Sequence, residues 1–500
     1  MAASKANVTL IVLGALGVIF LVVGCVLIHV FTDMIHNEIV ENIPLKNGSK
    51  SFKMWSDPTS PIYFQIWMYD IVNHLEVLNG EKPVLFQKGP YTYKETRHKF
   101  NVTYNRNGTL NYRERITYVF QPDMSVGFEN DTFVTVNLPF LTIMNFIRWE
   151  RLTIIQIFNA LMKGFGESLF MKLSVHELMW GYNDTFFAEV NKWAKFFKLP
   201  FSVTETFGLF YNKNNSDDGL YQIHSGLDGV NSFGQIVSWN EQSHLDYWNS
   251  SIANMINGSD GTIYPPFVST AETKYLFSSD LCRSLGLEYQ TVVNVRGIEL
   301  DKFVAPDIMF ANATVNPYNK GFCTSDCLPS GLLNVSVCRQ VFVICDTGAP
   351  VVMSMPHFLG CDEETVRGVI GMNPNREEHQ SYIDIEPRTG VAMNVGKKLQ
   401  INTFIEKIDG FSDTDKIKPV FFPVMWLNES AMISESDAAE FRSEVLDKIK
   451  LTKEVQYGLI GLGVVLMVIV VIVLVTRKLC VNRGQTSINA DDEPMLIPAA

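Results

Sequence analysis

The 500-residue sequence lacks the strings on which most metal and hydrolase chemistry rests. It has no C-x2-C pair, and His357 is the lone histidine near its clustered cysteines, which argues against zinc. His176-Glu177 is missing the second histidine of H-E-x-x-H, G-x-S-x-G does not occur, and no glycine loop is spaced to cradle a phosphate. A single Asp-Thr-Gly follows the apolar run Val341–Ile344, at Asp346. Aspartic protease chemistry needs two carboxylates sharing one proton, and neither a second Asp-Thr-Gly nor an Asp-Ser-Gly exists. No enzyme, no metal and no cofactor are therefore expected. Net positive charge is also absent: at −12 the chain has no electrostatic footprint for nucleic acid. No tandem repeat or low-complexity linker divides it.

Charge is missing altogether from two long stretches, and these carry the strongest positive signal. Val8–Ile28 is an uncharged run of 21 residues, which at about 1.5 Å per residue spans a hydrocarbon core of roughly 30 Å. Tyr457–Thr476 is a second such run. The first exceeds the roughly 7–15 apolar residues of a signal peptide and precedes no A-x-A-like site, so it reads as an uncleaved anchor. Lys5 lies before the first run, and Arg477, Lys478 and Arg483 lie after the second. Basic residues accumulate on the cytosolic side, so both termini are expected there. The expected organisation is a cytosolic start at 1–7, spans at 8–31 and 456–476, a lumenal glycosylated ectodomain at 32–455, and a cytosolic sorting tail at 477–500.

Glycosylation sequons agree with that topology: Asn47, Asn101, Asn107, Asn130, Asn183, Asn214, Asn249, Asn257, Asn312, Asn334 and Asn428 all lie between the runs. A further match, Asn7, falls on the predicted cytosolic side. Of eight cysteines, six (Cys282, Cys323, Cys327, Cys338, Cys345 and Cys361) cluster in the ectodomain, as an oxidising compartment permits. Cys480, just past the second run, is placed for palmitoylation.

Period-two patterning at Leu399, Ile401, Thr403 and Ile405, and β-rich stretches around Tyr91, Tyr93 and Val102, predict a mainly antiparallel sheet. Helical spacing from about Phe146 to Phe165 predicts a helix with Ile154, Ile155, Phe158, Leu161, Met162 and Phe165 on one stripe and Ile147, Trp149 and Ile157 off it. Such a helix is either buried on two faces or exposes one to a partner. A second helix is predicted over Asp437–Lys450, capped by Asp437. In the tail, Asp492 precedes Leu496-Ile497 by four residues. This fits the acidic dileucine pattern that clathrin adaptor complexes bind in extended form, and Pro494 and Pro498 disfavour a competing helix.

Several strings are recognisable together: GPYTYKETR (Gly89–Arg97), MWGYND (Met179–Asp184), NMINGSDG (Asn254–Gly261), NVSVC (Asn334–Cys338), PHF (Pro356–Phe358) and GMNPN (Gly371–Asn375). This set resembles the class B scavenger receptors over nearly the whole chain, and FPVMWLNES (Phe422–Ser430) with the Leu-Ile tail is most similar to the lysosomal branch. The resemblance implies an α+β membrane protein: an irregular antiparallel β-barrel core with an apical helical bundle, flanked by two transmembrane helices. It implies residence in lysosomal and late-endosomal membranes. It further implies delivery of β-glucocerebrosidase to lysosomes, through Trp149, Leu152, Ile154, Ile157, Phe158 and Leu161 of the apical helix, and passage of cholesterol or phospholipids along an apolar tunnel. The alternative within the family is a plasma-membrane scavenger receptor for lipoproteins, lipids or microbes. The resemblance pairs Cys282 with Cys338 and Cys323 with Cys327. Two departures stand out: Arg339–Thr347 intervene before Gly348-Ala349-Pro350, leaving Cys345 an alternative partner for Cys282 or for the extra Cys361, and residues 141–170 contain no histidine, where the lysosomal branch carries a pH-sensing one.

Overall fold

The computed structural model describes residues 2–199, 202–324, 326–338 and 350–490. The chain divides into two compact units, Asn42–Ala438 and a terminal unit of Met1–Glu41 with Ala439–Ala500.

In the terminal unit, α1 (Ala2–Asn42) pairs antiparallel with the long C-terminal helix (Asp447–Ala490). Asn7 Oδ1 accepts from Arg477 at 2.7 Å near one end, and Gln456 Nε2 donates to the Leu27 carbonyl at 3.0 Å toward the other. Glycine permits the close approach: a Cβ on Gly24 would stand 2.6 Å from Ile460, and one on Gly463 would stand 2.8 Å from Leu21. Small residues at a helix–helix seam let backbones approach and gain dispersion contacts where lipid supplies no hydrophobic drive. Both helices, over Asn7–Asn42 and Glu435–Cys480, are long and apolar enough to cross a membrane.

The larger unit is built on a fourteen-stranded sheet. Its strands include β1 (Ile62–Ile71), β2 (Leu85–Tyr104), β3 (Thr109–Phe120), β4 (Tyr221–His224), β5 (Ile236–Trp239), β6 (Lys274–Ser278), β7 (Arg283–Val295), β8 (Ile298–Val304), β9 (Val351–Ser354), β10 (Tyr382–Ile385), β11 (Ala392–Ile405) and β12 (Val420–Met432). Their order is β5-β4-β3-β2-β1-β12-β11-β10-β8-β7-β6, with β9 also paired to β11. The ladders between these strands are antiparallel.

The two ends of this path are joined by a loop. Ile236 N–H of β5 donates to the Gly258 carbonyl at 2.8 Å, while Phe277 N–H of β6 donates to the Ser259 carbonyl at 2.9 Å. Trp239 and Phe277 meet alongside with ring centroids 5.4 Å apart. The sheet is thereby nearly closed into a barrel, and its two edges are covered rather than left to pair with other chains.

Alternation explains the inner face. Phe64, Ile66 and Met68 of β1 are buried and stand opposite Tyr93, Tyr91 and Met425 or their neighbours. In β11 the predicted apolar positions Leu399, Ile401, Thr403 and Ile405 are buried, but Gln400 and Asn402 between them are buried as well. The alternation alone does not show this burial of the polar side chains. They are covered because β9 and the turn Pro356–Phe358 pack on them: Gln400 Oε1 accepts from Tyr69 O–H at 2.9 Å and His357 N–H at 2.7 Å, and Asn402 Nδ2 donates to the Val352 carbonyl at 3.0 Å. Fully bonded, a buried amide avoids the desolvation penalty of an orphaned one.

Two helix expectations need correction. Residues 146–165 are not one helix but the end of α2 (Leu138–Ile147) and all of α3 (Leu152–Gly164), broken at 148–151. Arg151 is extended there (ψ 139°) and its carbonyl receives the Ile154 N–H at 2.8 Å. The helix expected from Asp437 begins at Glu435, because Ser434 rather than Asp437 caps it: Ser434 Oγ accepts the Asp437 N–H at 3.0 Å. The Asp437 carboxylate instead accepts from the Thr59 hydroxyl at 2.9 Å.

Candidate functional site

The helix cluster grows from its caps. Asn137 accepts the Phe140 N–H at 3.0 Å and starts α2, whose side chains are nearly all buried. Asp184 accepts the Phe186 N–H at 2.9 Å and starts α5 (Thr185–Phe197), after the short α4 (Val175–Trp180). α5 ends at Lys198, which adopts the left-handed conformation.

Burial sorts the six residues expected to bind cargo. Phe158 is 1% exposed and is therefore a core residue, with its ring 6.2 Å from Phe197 of α5. Ile154, Ile157 and Leu161 are half-buried. Leu152 is exposed, and Trp149, in the turn between α2 and α3, is 85% exposed. The Arg148 guanidinium lies 5.2 Å from the Trp149 ring and pairs with Glu406 at 2.8 Å, which holds the turn. On α5, Phe196 is 73% exposed and forms a ring cluster with Trp193 and Phe197. These three aromatics were not singled out from the sequence, although their i, i+3 and i+4 spacing in Trp193-Ala-Lys-Phe-Phe marks one helix face.

The cluster has no histidine between residues 141 and 170 but does contain a carboxylate, Glu167, that titrates in the same range. Burial, and then the neighbouring Asp184 carboxylate, pushes the Glu167 carboxyl up to about 7, while Asn137 Nδ2 donates to it at 2.6 Å. His176 sits outside the cluster's stripe at the start of α4, 3.6 Å from Glu129.

The barrel's inner face carries a second constellation that patterning did not reveal. Glu95, Arg97 and Lys99 alternate along β2 onto the face that bears Tyr93 and Phe64. Arg97 Nε pairs with Glu95 at 2.6 Å, Lys99 with Glu114 of β3 at 2.6 Å, and Lys397 of β11 with Glu429 of β12 at 3.1 Å. Arg97 also meets Glu429, and Lys397 meets Asp280. Burial pushes Glu95 up to about 7 against the pull of Arg97. Burial would raise Glu429 too, but Lys397 and Arg97 hold it below the usual carboxylate range.

Disulfides join Cys282 to Cys338 and Cys323 to Cys327. Cys361 carries a free thiol that burial pushes far above its ordinary pKa. Cys345 and Asp346 lie outside the described residues, as do Asp492, Leu496 and Ile497. Cys480 is exposed on the C-terminal helix. Among the sequons, Asn47, Asn101, Asn107, Asn130, Asn183, Asn214 and Asn249 are exposed, whereas Asn257, Asn312, Asn334 and Asn428 are half-buried. Among the described residues no group of histidine, cysteine and carboxylate side chains could hold a metal ion.

Sequence comparison places this architecture. The CD36 family model matches residues 15–474. The chain belongs to the CD36 family. It is 38% identical over 457 residues to lysosome membrane protein 2 of Mus musculus, covering 90% of this chain and 92% of the relative. It is 36% identical over 458 residues to the Homo sapiens protein of that name, at 90% and 92% coverage. It is also 35% identical over 500 residues to scavenger receptor class B member 1 of Cricetulus griseus, at 98% and 96% coverage. CD36-family relatives of this kind are receptors and membrane proteins, not enzymes, which accords with the missing catalytic strings. A nearly closed antiparallel barrel with helices, and two terminal helices able to span a membrane, is the architecture of this CD36-family chain.

Proposed function

We propose that this chain is a sorting receptor of lysosomal and late-endosomal membranes, with a lumenal ectodomain that carries β-glucocerebrosidase or a similar acid hydrolase. Exposed aromatic side chains on the helix cluster, Trp149 and Phe196 above all, carry the cargo half of the reading. Large rigid aromatics left in solvent are the anchors that protein interfaces use. Asp492, Leu496 and Ile497 recruit clathrin adaptors from the cytosolic tail, and the similarity to lysosome membrane protein 2 supports that destination. Co-precipitation of the full-length protein with β-glucocerebrosidase at neutral pH tests the cargo. Binding is expected in the wild type and lost in Trp149→Ala with Phe196→Ala; no binding by the wild type removes the cargo assignment.

Passage of cholesterol or phospholipids is the second activity proposed, through the barrel, whose inner face includes Phe64, Ile66, Met68, Met425 and Leu427. Sterol co-purifying with the full-length protein is the expected result. The competing reading, a plasma-membrane scavenger receptor, draws on the 35% identity to scavenger receptor class B member 1. Steady-state surface labelling of the wild type would favour it.

A further inference from the structure

Arg283 opens β7 directly after the bonded Cys282 and is 6% exposed. Its guanidinium lies 3.7 Å from the centroid of the Phe322 ring and 5.4 Å from that of Phe310. Its Nε makes one long contact, 3.4 Å, to the Ser284 carbonyl. Among the described residues no carboxylate forms an ion pair with it. Arg97, Lys99 and Lys397 are treated differently, each pairing with at least one carboxylate, whereas the buried Lys398, like Arg283, lies over an aromatic ring, that of Tyr382.

An uncompensated buried charge is costly, and stacking on aromatic faces recovers about 2 kcal/mol of that. Ring faces leave the guanidinium edge, with its terminal N–H donors, unused. Burial without a counter-charge pulls the Arg283 pKa down to about 9.

The same residue lines a cavity of about 30 Å³, together with Phe310, Phe322, Thr324, Asp326 and Asn334. One water needs about 10–15 Å³ by this measure, so there is room for a small ion and a water. Thr324 Oγ1 accepts from Asn334 Nδ2 at 3.2 Å, which leaves the Thr324 hydroxyl proton for another acceptor. Asp326, exposed on the cavity's solvent side, forms no ion pair with Arg283.

We infer that this cavity is a binding site for a chloride-sized monoanion, held by the Arg283 guanidinium between Phe322 and Phe310 and by the Thr324 hydroxyl. The anion neutralises the buried cation beside the two disulfides and ties β7 to the Cys323–Cys327 loop.

The test is the thermal unfolding of the full-length protein in detergent, in chloride or bromide against gluconate at equal ionic strength. Chloride and bromide should raise the wild-type Tm saturably, by about 2 °C, and gluconate, a bulky hydroxylated carboxylate, should not. In Arg283→Met the halide response should vanish. Should that variant fail to fold, anomalous scattering from crystals of the wild type grown in bromide decides: a peak within the cavity is expected, and its absence overturns the site. A wild type that melts identically in halide and gluconate overturns it as well.

Discussion

Gly258 adopts φ +83°, and a Cβ there would stand 1.9 Å from the Tyr275 carbonyl oxygen. Its own carbonyl is the one that receives β5, so the barrel closes at a position where only glycine fits. Gly258→Ala should cost at least about 2 kcal/mol, through strain and displacement of β6, read as a lowered Tm of the full-length protein; an unchanged Tm contradicts the closure. His357 and His379 stack 4.4 Å apart on the outer face, and each accepts a backbone N–H on Nδ1, from Asn373 and Asn375. Burial pulls both pKa values down to about 4, helped by mutual repulsion at His357 and by Lys398 at His379. The unfolded chain takes these protons near pH 6.5, so this pair's contribution is complete above that and falls with pH toward 4, by about 1.4 kcal/mol per unit for each ring. The stability gap between wild type and His357→Gln should therefore narrow as pH drops from 7 to 5. Glu167 has the opposite sign: its raised carboxyl binds a proton in the fold before it does in the unfolded chain, so stability is gained as pH falls from about 7 toward 4.5. Thermal melts of each variant against wild type across that range check both signs. Of these residues the sequence showed the strings that contain Gly258 and His357, but not their partners, which lie 17 and 22 positions away and meet them only through the fold.

At the scale of elements, the α2–α3 break decides what the helix cluster can present. Phe158→Ala removes a buried ring and should cost about 3–5 kcal/mol, whereas Trp149→Ala removes an exposed one and should leave stability within about 0.5 kcal/mol. Cargo binding with unchanged melting is the readout for Trp149; destabilisation by that substitution would make it a structural residue instead. Apolar spacing ran unbroken through 146–165 because neither glycine nor proline marks the turn. The break is set by tertiary contacts, the Arg148–Glu406 pair among them, that no local pattern encodes. The cap at Ser434 was missed for a related reason: Asp437 is as good a cap by type, but Thr59 engages its carboxylate. Strand character was legible around Tyr91 and Tyr93 of β2 and from Leu399 to Ile405 of β11, where apolar and β-favouring side chains recur. The row Glu95, Arg97 and Lys99 carried no signal of burial in the sequence, and is buried because Glu114 and Glu429, from other strands, neutralise its cations.

For the whole molecule, the terminal uncharged runs were the most legible feature, since helix length and bilayer thickness are matched by simple arithmetic. Antiparallel pairing of Asn7 with Arg477 and of Leu27 with Gln456 brings Asn7 and Arg477 to the same end of the helix pair. The sorting claim belongs to this scale, because it links a tail of about two dozen residues to the destination of the entire receptor. Its most direct test is the steady-state location of the full-length protein beside a variant with Leu496→Ala and Ile497→Ala. The wild type should reside in lysosomes and the variant should accumulate at the cell surface; a wild type found at the surface, or a variant that still reaches lysosomes, contradicts the account.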